Sequence, residues 1–297
     1  MTVQIGVTLP QFTADRDAFV SGAERAIALG FDSLWVFDHL WPLGGDRERP
    51  ILESWSALGY LAEMTEEVRL GTLVTRASLR HPVLLAKAAA TVAAIAPGRL
   101  IVGLGTGDHL NKGENESFGA PYYTGQERMK QFVTTATMLQ RFFLGGTVTL
   151  DDKHARVSGL PASPKLADPP PVWLGGRSTE VLEIAARLAS GWNGWGANLD
   201  AFAEDAAKVR ALAGERPFDI SWAGQVVLGT DDEDAAGRLG QRDPVQYVTG
   251  GPDTVRTELS RAVTAGASHL VVALPAAGEA GAYEALAEVL SPLRGVA

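Results

Sequence analysis

The sequence predicts an α/β fold, a single (β/α)8 TIM-like barrel, on three observations. Strand-like and helix-like segments alternate along nearly the whole chain, the mark of a parallel sheet. The 297 residues suit one barrel of ordinary size with insertions, or two smaller domains; no internal boundary is evident, so 1–297 reads as one domain. Three predicted strand ends carry polar or glycine residues: Asp38-His39, Gly103 to Asp108, and Gly175-Gly176-Arg177-Ser178. In a parallel barrel such ends share one functional face.

The elements follow in order. Val3 to Leu9 predicts strand one. A helix follows from about Asp15, with Phe19, Ala23, Ala26 and Ile27 on one face and Gly30 as its stop. Ser33 to Phe37 predicts strand two; alternation places Leu34, Val36 and Asp38 on one face, so Asp38 points inward if the leucine and valine do. Ser54 is placed to cap a second helix. Val68 to Val74 predicts strand three, Pro82 the first turn of an Ala-rich helix ending near Ile95, and Arg99 to Leu104 strand four. Two long excursions come next, predicting insertions after strand four and before strand five. They hold a polar and aromatic stretch with Tyr122 and Tyr123, a helix around Gln126 to Phe143, and a hairpin turning at Asp151-Asp152. Long structured excursions usually form lids or binding loops. Pro171 to Leu174 is strand five, with a helix from Thr179. Trp192 to Trp195, Ile220 to Leu228 and His269 to Leu274 complete the strands; helices are expected at 231–240, 253–265 and 282–293.

Composition narrows the function. The net charge of −9 argues against a nucleic-acid partner, which would need a basic face. No apolar run is long enough to span a bilayer, so no membrane role is expected. The absence of cysteine excludes disulfides and thiolate-held metals. With a start unlike a signal peptide, it fits a cytoplasmic address. His39, His81, His109, His154 and His269 show no metal-ligand spacing, so no metal is expected. A nucleophile elbow and a Walker loop are also missing.

Three motifs carry the chemistry. A carboxylate beside an imidazole sets its tautomer, as a general acid or base requires, so Asp38 and His39 are candidates; a loop cap and a surface histidine are the plainer alternative. Gly103-x-Gly105-x-Gly107 lacks the dinucleotide spacing. It reads either as a tight turn or as a close approach by a flat ring, with Asp108 and Asn111 adding polar contacts. Gly175-Gly176-Arg177-Ser178 opens a helix after a strand, which favours a phosphate on the helix amides with Arg177 adding charge, over an ordinary turn. Trp35 and Trp173 read as packing; Trp41 and Trp195 lie where they could line a pocket.

In order, four stretches resemble the luciferase-like monooxygenase superfamily, in its branch of deazaflavin (coenzyme F420)-dependent oxidoreductases. They are Gly30 to His39, Arg69 to Thr75, Gly98 to Gly107, and Pro171 to Gly176; Gly250 to Val255 resembles the family's helix start before its last strand. The resemblance implies a TIM-like barrel with the cofactor ring at the C-terminal ends of its strands. It implies that Asp38 or His39 lies by the reactive ring carbon, and that Thr72, Leu73 and Val74 form a bulge with a non-prolyl cis peptide, Leu73–Val74, behind the ring. Thr106, Gly107 and Asn111 match cofactor-contacting positions, and Gly175, Gly176 and Arg177 the cofactor-phosphate loop. Asp108 matches a glutamate acid of some relatives, with a shorter side chain. Asn193 stands where many relatives carry aspartate. The implied activity is hydride transfer between F420 and a small organic substrate, with His39 as acid/base, Asp38 as its orienter or a ring contact, and Asp108 as a second acid. The alternatives are an FMN-dependent two-component monooxygenase on the same fold and a non-catalytic F420 carrier or sensor. A homodimer is implied by the family alone.

Overall fold

The computed structural model describes residues 2–42, 46–275 and 277–295. In chain order the elements are β1 (Gln4–Thr8), α1 (Arg16–Ala28), β2 (Ser33–Val36), α2 (Ser54–Met64), β3 (Arg69–Thr72), β4 (Thr75–Arg76), α3 (Pro82–Ile95) and β5 (Leu100–Gly105). Then come α4 (Lys112–Ser117), α5 (Gly125–Leu144), β6 (Thr147–Asp151), β7 (Arg156–Pro161), β8 (Val172–Gly175), α6 (Thr179–Leu188) and β9 (Gly191–Trp195). The chain closes with α7 (Leu199–Ala213), β10 (Asp219–Leu228), α8 (Asp232–Leu239), β11 (Tyr247–Gly250), α9 (Pro252–Thr264), β12 (His269–Ala273) and α10 (Ala282–Leu290). Two compact units are distinguished: one comprises the chain up to Pro10, Asp15–Trp35 and Gly176 onward, the other Gln11–Ala14 and Val36–Gly175.

In the first unit β2, β1, β12, β10 and β9 pair side by side, all parallel, and β11 adds to β10. Strands β1, β2, β10 and β12 are largely buried on both faces, as parallel sheets require, while β11 alternates buried and half-buried residues. A polar network crosses them: Trp35 Nε1 donates to Ser33 Oγ at 2.8 Å, and Ser33 Oγ lies 2.7 Å from His269 Nε2. Gly6 is obligatory beside it, since a Cβ there would meet Ser33 Oγ at 2.3 Å.

In the second unit β3, β5 and β8 pair parallel, and β4 continues β3's place alongside β5. The predicted third strand is thus two pieces, interrupted at Leu73 and Val74, whose peptide bond is cis. Glycines in β5 make room for the interruption. A Cβ on Gly103 would lie 2.2 Å from the Thr72 carbonyl oxygen, and one on Gly105 2.6 Å from Val74 Cγ2. Between β5 and β8 lie α4, α5 and the antiparallel β6–β7 hairpin.

Most boundaries fall within two residues of expectation. Ser54 is a correction: Glu53 caps α2, accepting from the Ser56 amide at 2.7 Å, and Ser54 is its first residue. Helix α7, strand β11 and short helix α4 add to the expected set. Trp35 and Trp173 are buried. Among the described residues no helix is long and apolar enough to cross a membrane.

Candidate active site

The candidate residues of the second unit sit where β2, β4 and β5 end. Asp38, one residue beyond Phe37, turns into the unit and is 2% exposed. Its carboxylate is fully engaged. One oxygen accepts from Ser54 Oγ (2.6 Å) and Arg80 Nη2 (2.8 Å); the other accepts from the Arg76 amide (2.9 Å) and Arg80 Nη1 (2.7 Å). Arg80 forks onto it in the bidentate geometry guanidinium favours, and its second partner is Glu53. Burial would lower Arg80, yet the charges of Asp38 and Glu53 override it and hold Arg80 above its ordinary pKa.

This overturns two expectations for Asp38. It does not orient His39, and it has no oxygen left to offer a ring. The partners of Asp38 explain the first point, since its carboxylate is taken up by Ser54, Arg76 and Arg80.

The partner of His39 is Glu114, on α4. His39 Nδ1 lies 3.2 Å from Glu114 Oε2, and the Glu114 side chain is wholly buried while His39 keeps 17% exposure. Glu114 also accepts from the Leu40 and Trp41 amides and pairs with buried Arg76 Nη2 at 2.9 Å. Burial would raise the Glu114 carboxyl, but hydrogen bonds from His39 and the Leu40 amide, with the charges of His39 and Arg76, hold it below its ordinary 4.5. Glu114 is therefore an acceptor, so Nδ1 carries the ring proton that faces it. Among the described residues nothing hydrogen-bonds Nε2, and that nitrogen is the chemically available one. Arg76 is completed by the Asp38 carbonyl (2.9 Å) and Asn115 Oδ1 (3.1 Å).

The other expected residues divide sharply. Thr72 is fully buried and donates its hydroxyl to the Gly103 carbonyl at 2.9 Å, and Leu73 is also buried, so neither offers side-chain surface to a cofactor. Val74 is half-buried, and its two γ-carbons occupy the space that Gly103 and Gly105 leave open. The glycine pattern of β5 thus admits Val74 and the Thr72 carbonyl. Gly107 has φ of 72°, a left-handed turn that favours glycine. Asp108 is exposed and accepts from the Leu110 amide at 2.8 Å, while Asn111 Oδ1 accepts from the Asp108 amide at 2.8 Å. This reciprocal cap engages one oxygen of each side chain, and the second carboxylate oxygen of exposed Asp108 has no hydrogen bond among the described residues. Thr106 stays half-buried at the strand end. Trp41 packs edge-on against Phe118 under the Arg47 guanidinium.

The glycine–arginine loop lies in the first unit apart from Gly175, which ends β8 in the second. Ser178 caps α6 through the Val181 amide at 3.3 Å, leaving the Thr179 and Glu180 amides without acceptors among the described residues. Gly176 has φ of 135°, closed to side chains. Arg177 is already paired with Asp205 at 2.7 Å, so its charge is compensated. Asn193 Nδ2 donates to Ser221 Oγ at 3.0 Å, an interior role. Trp195, at the end of β9, is 40% exposed. Among the described residues no cluster of histidine and carboxylate side chains is placed to hold a metal.

Residue reasoning missed Glu114, Arg76, Arg80 and Glu53. Their only signal was charge at positions that fold into the interior.

The model of the luciferase-like monooxygenases matches residues 3–289. An F420-dependent glucose-6-phosphate dehydrogenase of Beutenbergia cavernae is 29% identical across 94% of this chain and 93% of its own. An F420-dependent hydroxymycolic acid dehydrogenase of Mycobacterium tuberculosis is 27% identical over 92% of this chain and 76% of its own. A solved F420-dependent secondary alcohol dehydrogenase, in complex with an F420–acetone adduct, superposes with a TM-score of 0.84 over 99% of both chains at 19% identity. The fold is therefore the eight-stranded parallel α/β barrel class.

Proposed function

The chain belongs to the luciferase-like monooxygenase family, and we propose that it is an F420-dependent oxidoreductase acting on a small organic substrate. The named relatives support the cofactor, and His39 carries the chemistry: a half-buried imidazole with one nitrogen pinned by a buried carboxylate and the other open.

The second unit suits the ring. Val74 offers a half-buried apolar face, with His39, Thr106 and Gly107 as its half-buried polar company at strand ends. In the first unit, the Thr179 and Glu180 amides beside Gly176 suit an anionic phosphate. Bound F420 would supply a carbon that gives or accepts hydride.

The chain's own residues manage the proton. Glu114 holds Nδ1–H, so Nε2 takes the proton from a substrate hydroxyl during oxidation or returns it to a carbonyl during reduction. Glu114 is itself steadied by Arg76 and by the Leu40 and Trp41 amides, so the imidazole is held in one orientation. Asp38 acts on the scaffold, clamping Arg80 and the Arg76 amide beneath the site.

We infer that residues 1–297 work as one domain, in the cytoplasm and as a homodimer; sedimentation equilibrium tests the last point. The functional test is an anaerobic fluorescence titration with F420 and, separately, FMN. Saturable F420 binding with weak FMN binding is expected. The reverse preference would overturn the proposal in favour of a flavin monooxygenase.

A further inference from the structure

Helix α4 carries Glu114, the partner of His39, yet its own composition gives it no hold on the scaffold. Its residues, Lys112-Gly113-Glu114-Asn115-Glu116-Ser117, include no apolar side chain. Isolated helices shorter than about 12–15 residues are marginal in water, so this one cannot persist by itself. Asn111, at its N-cap, makes no side-chain cap bond to it and accepts from the Asp108 amide instead. The Lys112–Glu116 pair spans 3.9 Å on the surface and contributes little. Phe118, just past the helix, meets Trp41 edge-on but stays 54% exposed. The helix is therefore anchored by polar bonds, and its two buried residues are Glu114 and Asn115.

Asn115 is fully buried, and its carboxamide is engaged at both ends. Oδ1 accepts from Arg76 Nη1 at 3.1 Å, while Nδ2 donates to Ser78 Oγ at 2.9 Å and to the Pro121 carbonyl at 2.8 Å. A guanidinium only donates and a carbonyl only accepts, so these partners fix which end of the amide faces which. Neither a carboxylate nor an apolar group of the same size satisfies all three. The Asn115 backbone carbonyl also accepts from the Ala120 amide at 2.8 Å. One residue thus ties α4 to the chain around β4 and to the stretch 118–123.

Glu114 and Asn115 share one guanidinium. Arg76 Nη2 faces Glu114 at 2.9 Å, Nη1 faces Asn115, and Nε donates to the Asp38 carbonyl at 2.9 Å. The His39–Glu114 contact of 3.2 Å stands at the long end of the hydrogen-bond range, so a small drift of α4 opens it.

We propose that Asn115 is a positioning residue, holding α4 so that Glu114 meets His39 Nδ1 and keeps the ring in its Nδ1–H tautomer. Among the described residues no hydrogen bond joins Asn115 to His39, so it acts through Glu114. The role rests on the reading of His39 as the proton carrier.

The test is nitrogen-15 NMR of the histidine rings in the full chain at about pH 9, above the ordinary histidine range. Wild type is compared with Asn115→Leu, Asn115→Asp and Leu259→Ala, and His39→Gln assigns the His39 signals by their loss. Asn115→Leu leaves all three partners unmet. Asn115→Asp keeps an acceptor for Arg76 but sets an oxygen against the Pro121 carbonyl. Leu259, fully buried in α9, provides a loss of stability away from α4. Melting curves establish that each variant is folded. Wild-type His39 is expected as a single Nδ1–H tautomer. Both Asn115 variants should lose it to a mixture with Nε2–H, while Leu259→Ala keeps it. A mixture already in wild type, an unchanged tautomer in the folded Asn115 variants, or its loss in Leu259→Ala as well would overturn the proposal. A fluorescence titration with F420 separates this role from the cofactor reading. Wild type that fails to bind F420 while the tautomer pattern holds sinks the cofactor reading and leaves the positioning role standing. F420 binding throughout, with the tautomer indifferent to Asn115, keeps the cofactor and removes Asn115.

Discussion

Replacing Glu114 by glutamine removes one buried charge and almost no volume. The carboxylate faces His39 Nδ1 at 3.2 Å, Arg76 Nη2 at 2.9 Å and the Trp41 amide at 3.3 Å, with the Leu40 amide as a further donor. The amide still accepts at one oxygen, but its NH2 must then confront a donor on the other side. Arg76, 4% exposed, loses the charge that burial demands. Breaking a buried pair costs about 3–5 kcal/mol, and the retained acceptor places this change near ~3 kcal/mol. For a chain of this size that lowers Tm by roughly 6–12 °C. Catalysis suffers separately, because the imidazole loses the group fixing its tautomer; a fall in kcat of about 100-fold is expected, at the upper end for such partners. The pH dependence checks the cause. Glu114 has a depressed folded pKa, so its stabilisation is complete above its ordinary 4.5 and disappears as pH falls through the folded value below that. The Tm gap between wild type and Glu114→Gln should therefore be constant near neutrality and close in acid. Melting followed by circular dichroism, and stopped-flow deazaflavin absorbance against pH, provide the two readouts. A variant with wild-type Tm and kcat, or a gap that widens in acid, would refute the reasoning.

Three further outcomes are expected. His39→Ala should lower kcat while leaving F420 affinity nearly intact; unchanged turnover would remove His39 from the mechanism. Asp38→Asn should destabilise by about 3–5 kcal/mol in urea unfolding, because two donors would face an NH2 group and Arg80 would lose its buried partner. Loss of turnover with full stability would instead return Asp38 to the chemistry. Gly105→Ala places a Cβ 2.6 Å from Val74 Cγ2, and this overpacking should cost about 1–3 kcal/mol and weaken F420 binding by displacing Val74. Unaltered F420 titration would show that Val74 does not support the ring.

The fold was legible because periodicity is local. Apolar residues three and four apart marked α1, and Pro82 marked the start of α3. The same signal is present in α7, with Asn198 as cap and Phe202, Ala206 and Val209 on one face. Strand β11 had no such signal; four residues become a strand only because β10 lies beside them. The break in β3 was legible only through family resemblance, since nothing in Leu73-Val74 itself departs from an ordinary strand.

By itself the sequence determined the order of strands and helices and brought Asp38, His39, Thr106 and Gly107 to strand ends. It also marked His39 as a titratable group beside a carboxylate. Only tertiary structure decided which carboxylate that is. Asp38 and His39 lie past the end of β2, and folding turns Asp38 into the interior and His39 toward α4, so they do not serve each other. Each takes a partner from far along the chain: Arg80, 42 residues on, for Asp38, and Glu114, 75 residues on, for His39. A buried charge must find its opposite wherever folding brings one within reach, and that distance in space is not written in the spacing of the residues.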